Sequence, residues 1–135
     1  MTDYVTWLII PAIALTMAVG FVPIVNGAYD TAGLGDGIAR LDGMTWGRFD
    51  TGRAVIVGHG DAAFSELHTL QVGDEIGLLA GPNGVIKLQV IDVYWTVASD
   101  TRILTTPTDG YELALIACSA NESHRLIVRA RLVNE

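Results

Sequence analysis

The residues best suited to chemistry are a cysteine, a histidine and an arginine, each next to an apolar, strand-like run. Cys118 is the only cysteine and ends the run LALIAC, and Arg125 opens the run RLIVRARL after a short polar loop. His59 follows the apolar run AVIVG far upstream. A cysteine and a histidine that meet only in the fold are the usual partners in thiol catalysis. The pattern therefore predicts a thiol nucleophile, a base and a guanidinium at the ends of three strands.

Each of the three residues also has a purely structural interpretation. A single cysteine excludes an internal disulfide and a cysteine-rich metal site, but it leaves either a buried, inert thiol or a reactive one. His59 could be a capped imidazole at a strand end, and Arg125 could be a surface ion-pair residue. The residue types alone leave these alternatives open.

Composition limits the function classes. The chain has 135 residues, 50% of them hydrophobic, which predicts a single domain over residues 1–135 with a substantial core. The net charge of −7 and eight scattered Lys and Arg residues argue against nucleic-acid binding. On an alternating strand, Arg125, Arg129 and Arg131 would share one face as a basic strip. No dense acidic cluster resembles a calcium loop, and no dinucleotide loop is present, so we expect no metal and no cofactor.

The uncharged stretch from Tyr4 to Tyr29 is long enough to span a bilayer. No positive residue precedes it, two prolines interrupt it, and its Ile, Val, Thr and aromatic residues favour strands. We therefore predict two buried strands, one of Trp7–Ile10 with Ala12–Ala18 and one of Phe21–Val25, with a membrane anchor as the alternative.

The rest of the chain alternates strand-like runs with turn signals. AAFSEL should form a helical turn that packs Phe64 and Leu67 inward, and GPNG at Gly81–Gly84 is a strong hairpin signal. A short helix is predicted over Asp30–Leu34. The further predicted segments are strands at Arg53–Val57, Glu75–Leu79, Val85–Val97, Glu112–Cys118 and Arg125–Val133, a turn at Leu70–Asp74 and a polar loop at Ser99–Tyr111. Many strands and little helix indicate a mainly β fold, a closed or nearly closed β-barrel with one or two short helices.

Four segments, in order, resemble the sortase family of cysteine transpeptidases. They are the His-x-Asp after a Val-rich strand, VGDEI at Val72–Ile76, the Leu-x-Ala-Cys ending and the HRLIVRA that follows. The resemblance covers nearly the whole chain and implies an eight-stranded sortase-type barrel. Class D or E is the subclass it suggests, and other subclasses stay open. It also implies a membrane-associated, extracytoplasmic full-length protein, of which this chain would be the soluble, monomeric catalytic domain.

The resemblance implies a reaction as well. Cys118 would attack the carbonyl of an LPxTG-like sorting-signal peptide and form a thioacyl-enzyme. An amine, from a cell-wall precursor or a pilin lysine, would then resolve it. His59 would be the general acid and base, and Arg125 would hold the substrate and stabilise the oxyanion. The alternatives are a thiol peptidase that uses water and a non-catalytic β-barrel binding module.

The remaining predictions concern residues around these three. Arg125 is preferred over Arg129, about 13 Å further along the strand, because the family's active arginine opens the last strand. Asp61 would support His59 or, preferably, cap the next turn. His68 and His124 are expected to be solvated. The groove walls are predicted to include Ile103, Leu104, Ala117 and Ile127. Ala114 and Ala117 replace the family's usual threonines, which puts rate and peptide preference in question.

Overall fold

A computed structural model describes residues 6–22, 24–25, 28–29, 37–41, 52–60, 63–80, 84–97, 111–118 and 124–133. Within these ranges the chain is almost entirely β-structure, with two short 3₁₀ helices. The strands are β1 Thr6–Ile10, β2 Leu15–Val22, β3 Ile24–Val25, β4 Ala28–Tyr29, β5 Ile38–Leu41, β6 Gly52–His59, β7 Glu75–Ala80, β8 Val85–Val97, β9 Tyr111–Cys118 and β10 His124–Leu132. The 3₁₀ helices are η1 Pro11–Ile13 and η2 Leu67–Thr69.

Eight of these strands close into a barrel, in the order β1-β2-β5-β6-β9-β10-β8-β7. The pairs β2–β5 and β6–β9 are parallel, and the other neighbours are antiparallel. The strands β3 and β4 form a separate two-stranded sheet. The predicted closed, eight-stranded, mainly β barrel is therefore confirmed.

The barrel interior is filled by alternate residues of each strand. On β6 and β9 the core residues are Ala54, Ile56, Leu113, Leu115 and Ala117. The positions between them on these two strands are buried as well, namely Val55, Val57, Ala114 and Ile116. Strands β6 and β9 are therefore apolar and packed on both faces, which is why their sequences run apolar without alternation.

The N-terminal apolar stretch forms strands, as predicted, but their bounds and burial differ from the prediction. Strand β2 runs unbroken through the predicted gap between Ala18 and Phe21, and Trp7 is 38% exposed rather than buried. The strand expected over Ala12–Ala18 begins only at Leu15, because η1 occupies Pro11–Ile13. Pro11 lacks the N–H that a strand ladder needs. Ala14 closes the turn in the left-handed region at φ 52°, and its N–H donates to the Pro11 carbonyl at 3.0 Å. No helix in the described ranges has the length and apolarity to cross a membrane.

The turns between later strands agree with the sequence patterns. Strands β7 and β8 pair antiparallel on either side of the GPNG signal, whose residues 81–83 lie outside the described residues. Phe64 and Leu67 are buried, as predicted, and Leu67 is the first residue of η2, which begins where the predicted helical turn ends. The turn predicted at Leu70–Asp74 is closed by a hydrogen bond from the Asp74 N–H to the Gln71 carbonyl at 3.0 Å.

Two further predicted segments, the helix at Asp30–Leu34 and the loop residues 98–110, lie outside the described residues.

Candidate active site

Three neighbouring strands bring His59, Cys118 and Arg125 to the same edge of the barrel. Strands β6 and β9 run parallel, and their register pairs His59 with Cys118 at their carboxyl ends. Strand β10 returns antiparallel beside β9 and pairs Leu126 with Ala117, so Arg125 and Cys118 are the next positions in that register. Neighbouring strands are about 4.8 Å apart, so the backbone positions of all three residues lie within about 10 Å.

The three positions share the outer face of the barrel. Gly58, Ala117 and Leu126, their immediate neighbours in sequence, have the parity of the core residues. Because successive strand residues point to opposite faces, His59, Cys118 and Arg125 take the outward parity. The barrel interior is filled with apolar side chains, so a polymeric substrate could reach these positions only from the outer side.

Packing beneath His59 fixes the end of β6. A Cβ atom at Gly58 would lie 2.8 Å from Phe64 Cδ2 and 2.9 Å from Ile38 Cγ2, so only glycine fits there without movement. The Phe64 N–H donates to the His59 carbonyl at 3.1 Å. The backbone on both sides of the His59 Cα is therefore held by Phe64, while the imidazole itself is partly exposed.

The arginines on the outer face of β10 have different surroundings. Arg129 donates from Nη2 to Glu112 Oε1 at 2.8 Å and from Nε to Glu112 Oε2 at 3.2 Å. Its Nη1 lies 3.7 Å from Asp92 Oδ2. The hydrogen bond to Glu112 raises the pKa of the Arg129 guanidinium above its ordinary value, against the opposing effect of burial. The Arg129 guanidinium is therefore engaged by carboxylates of the two strands next to β10.

Arg125 differs from Arg129 in its contacts with the described residues. Within the part of the chain that the structure describes, its guanidinium has neither an ion pair nor a hydrogen bond, and it is partly exposed. A guanidinium that no described side chain engages, next to the Cys118 position, can bind a carbonyl or an oxyanion. This contrast favours Arg125 over Arg129, a choice that strand parity alone could not make.

Two of the remaining predicted site residues, Ile127 and Ala117, lie in the described ranges. Ile127 lies on the outer face, two positions after Arg125, and is 1% exposed. Ala117 belongs to the core cluster and is 8% exposed. A contact of either side chain with a peptide stays a prediction, and Asp61, Ile103 and Leu104 lie outside the described residues.

The other two histidines do not join the three residues. His68 is exposed in η2, and His124 is exposed at the start of β10 with parity opposite to Arg125.

Sequence reasoning missed one group, the buried carboxylate of Glu112 with its two arginines. A single acidic residue at the start of an otherwise apolar strand was the available signal. Its partners became identifiable only when the β9–β10 register set Arg131 directly opposite Glu112.

A family model described as Sortase domain matches residues 8–133. A structure of Sortase A from Corynebacterium diphtheriae, lid mutant, is 26% identical with a TM-score of 0.79, and the match covers 100% of this chain and 73% of that one. A second Corynebacterium diphtheriae Sortase A structure is covered over only 63% of its length. No curated protein sequence gives a significant match.

Two less similar structures share the fold. A Clostridium perfringens Sortase D5 transpeptidase is 19% identical with a TM-score of 0.79, and the match covers 99% of this chain and 82% of that one. Sortase C-1 from Actinomyces oris is 22% identical with a TM-score of 0.78, covering 96% and 72%. The same barrel thus occurs in sortases labelled A, C and D, and the fold does not distinguish among them.

Proposed function

Because this chain belongs to the sortase family of cysteine transpeptidases, we propose that it cleaves an LPxTG-like sorting signal at Cys118 and transfers the new C-terminus to an amine. The observation that carries the proposal is the register of β6, β9 and β10, which gathers His59, Cys118 and Arg125 on one outer edge. The reaction needs a nucleophile, a proton carrier and an oxyanion stabiliser, and these are the three residue types present.

In the first half-reaction, the Cys118 thiolate attacks the carbonyl carbon of the scissile peptide bond. The tetrahedral oxyanion forms next to the Arg125 guanidinium, which stabilises the charge through hydrogen bonds. His59, as the imidazolium, donates a proton to the departing nitrogen when the C–N bond breaks. The products are a thioester on Cys118, a free amine and a neutral His59.

In the second half-reaction, an amine nitrogen attacks the thioester carbonyl. Neutral His59 accepts the proton that the amine loses, and Arg125 again stabilises the oxyanion. Collapse of the intermediate expels the Cys118 thiolate and forms an amide bond, so enzyme and proton return to their starting state. The reaction is a peptide transfer, with water as a competing acceptor.

The proposed partners are the sorting signal of a secreted surface protein and an amine acceptor, either a cell-wall precursor or a pilin lysine. Their attachment would take place at the extracytoplasmic cell surface. Ile127, Ile103 and Leu104 are proposed as walls for the apolar residues of the signal, with Asp61 in a supporting role. Ala117, which was predicted as a fourth wall, belongs to the core cluster and is left out. Because positions 114 and 117 carry alanine, the threonine hydroxyls usual in the family are missing there, and we expect the chain's peptide preference to differ from the family's.

The test is ligation by the purified chain. It is incubated with a library of LPxTG-like peptides and triglycine, and products are identified by mass spectrometry beside a Cys118→Ala control. We expect a peptide–triglycine product that is absent from the control. Cleavage without ligation would instead identify a hydrolase. Peptide binding that survives Cys118→Ala, with no product from either protein, would identify a non-catalytic binding module.

A further inference from the structure

Among the described residues, Glu112 is the only charged side chain that is completely buried, at 0% exposure. It stands at the start of β9, at the opposite end of the strand from Cys118. Its carboxylate accepts the two hydrogen bonds from Arg129, and Oε1 also lies 3.6 Å from Arg131 Nε. Burying a carboxylate costs free energy even when it is paired, and apolar replacements are often no less stable. A gain in stability therefore does not explain why a charged residue is buried at position 112.

The strands that carry His59 and Cys118 have little in their apolar pattern to fix their register. Residues 54–57 of β6 and residues 113–117 of β9 are all apolar and all buried, on both faces. A shift of β9 by one residue would exchange Leu113 and Leu115 for Ala114 and Ile116, which is apolar for apolar. Register is specified by the hydrophobic pattern when a one-residue shift would turn apolar residues to solvent. On two strands that are apolar and buried on both faces, such a shift carries no such penalty within the apolar segment.

Strand β10 supplies the missing specification because it alternates. Arg125, Ile127, Arg129 and Arg131 have the outer parity, and Leu126, Val128 and Ala130 face the core. In the observed register Arg131 lies directly opposite Glu112, and Arg129 lies on its diagonal. A shift of β9 by one residue would turn the Glu112 carboxylate into the core. A shift by two residues toward the end of β10 would set Glu112 opposite Val133 and move it about 7 Å further from Arg129, whereas a shift by two the other way would set it directly opposite Arg129.

The same arginine also connects β10 to β8. Arg129 Nη1 lies 3.7 Å from Asp92 Oδ2, and the β10–β8 register shifts between Arg129 and Ala130. This irregularity leaves Ile91 without a partner, so Val90 and Val93 can both pack on the core side. Arg129 thus contacts a carboxylate on each of the two strands that flank β10, namely Glu112 on β9 and Asp92 on β8.

We propose that Glu112 and Arg129 are positioning residues that fix the register of β9 against β10. This register places Cys118 opposite Arg125, and the separate register of β6 against β9 pairs Cys118 with His59. The catalytic consequence rests on the proposed function, whereas the register itself is a property of the chain.

The main test replaces both residues at once, in the double variant Glu112→Met/Arg129→Met. An apolar pair of similar volume should keep the barrel folded without the charged specification. The matched control is Glu75→Gln/Lys87→Met, which removes two exposed charges from β7 and β8. Neither control residue belongs to the proposed site.

Two measurements that need no peptide report on the register. The first is the set of cross-strand amide NOEs between the ends of β6 and β9 and across the Leu126–Ala117 pair. The second is the pH profile of Cys118 alkylation by iodoacetamide. We expect the double variant to melt within a few degrees of the parent, to lose or divide these NOEs, and to show an alkylation profile that is shifted and at least tenfold slower at neutral pH. The control should match the parent in both.

A folded double variant with parental NOEs and a parental alkylation profile would overturn the proposal. If the double variant does not fold, Glu112→Gln decides, because it keeps the shape of the side chain and weakens the pairing. The proposal then expects a second set of β9 amide resonances. A single set with parental NOEs overturns it. Since neither readout depends on turnover, a failure of the ligation assay would leave this test intact.

Discussion

Two arginines of strand β10, Arg129 and Arg125, differ in their surroundings. At one end Arg129 is engaged by Glu112 and Asp92, and the Glu112 carboxylate is completely buried. At the other end Arg125 is partly exposed, and the described part of the chain gives its guanidinium no ion pair. The two arginines lie on the same strand and the same face, about 13 Å apart.

The difference shows how one basic strip can serve two purposes. A guanidinium that is saturated by carboxylates stabilises the fold but has few donors left for a substrate. A guanidinium without a carboxylate partner can bind a carbonyl or an oxyanion when a substrate arrives. The local partners, rather than the residue type or its parity, therefore separate the proposed catalytic arginine from the structural one.

The largest effect is expected at the histidine of the catalytic end. His59→Gln should lower kcat/KM for ligation by about 10²–10⁴-fold, since it removes the group that carries the proton in both half-reactions. The melting temperature should change little, because the imidazole is partly exposed. His68→Gln is the matched control, and steady-state ligation kinetics of both variants provide the measurement. Equal losses in the two variants would contradict the assignment of His59.

The next largest effect is expected at Arg125 and Arg129, where one substitution should lower activity and the other should lower stability. Arg125→Met should lower kcat/KM by about 10²–10³-fold, while the free energy of unfolding stays within about 0.5 kcal/mol. Arg129→Met leaves the buried Glu112 carboxylate without its bidentate partner and should cost about 3–5 kcal/mol of stability. Urea unfolding and ligation kinetics on both variants test this, and a large stability loss in Arg125→Met with none in Arg129→Met would reverse the assignment.

The smallest effect concerns the packing beneath His59. Gly58→Ala places a methyl group against Phe64 and Ile38 and should destabilise the chain by about 1–3 kcal/mol. Activity should fall as well, because the end of β6 must move. Gly20→Ala is the matched control, since its Cβ would meet the Ile38 carbonyl oxygen and Ala39 Cβ at ordinary distances of 3.5 and 3.7 Å. Thermal melts that show equal losses for both variants would count against tight packing at Gly58.

Much of the fold could be predicted because its signals are local. The predicted strand Glu112–Cys118 became β9 Tyr111–Cys118, and the predicted Arg125–Val133 became β10 His124–Leu132. The GPNG signal and the inward packing of Phe64 and Leu67 were also local. The break at Pro11 was predicted, but the start of the next strand at Ala12 was wrong, because a proline can begin either a strand or a 3₁₀ turn and the left-handed Ala14 leaves no trace in the sequence.

The charged group could not be predicted, because its geometry depends on strand register. Parity correctly placed Arg125, Arg129 and Arg131 on one face, but only the pairing of β9 with β10 identified Glu112 as the partner of two of them. Parity could have been used further on β9. Ala117 alternates with Cys118, so its place on the core side was already implied by the strand assignment.

The most direct test of the central claim is to trap the thioacyl intermediate on Cys118. The chain is mixed with a peptide that supports ligation, quenched in acid without an amine acceptor, and measured by intact-protein and proteolytic mass spectrometry. We expect an added mass equal to the N-terminal part of the peptide, located on Cys118, released by hydroxylamine and absent from Cys118→Ala. Ligation product that forms equally in Cys118→Ala, or an adduct on another residue, would contradict it.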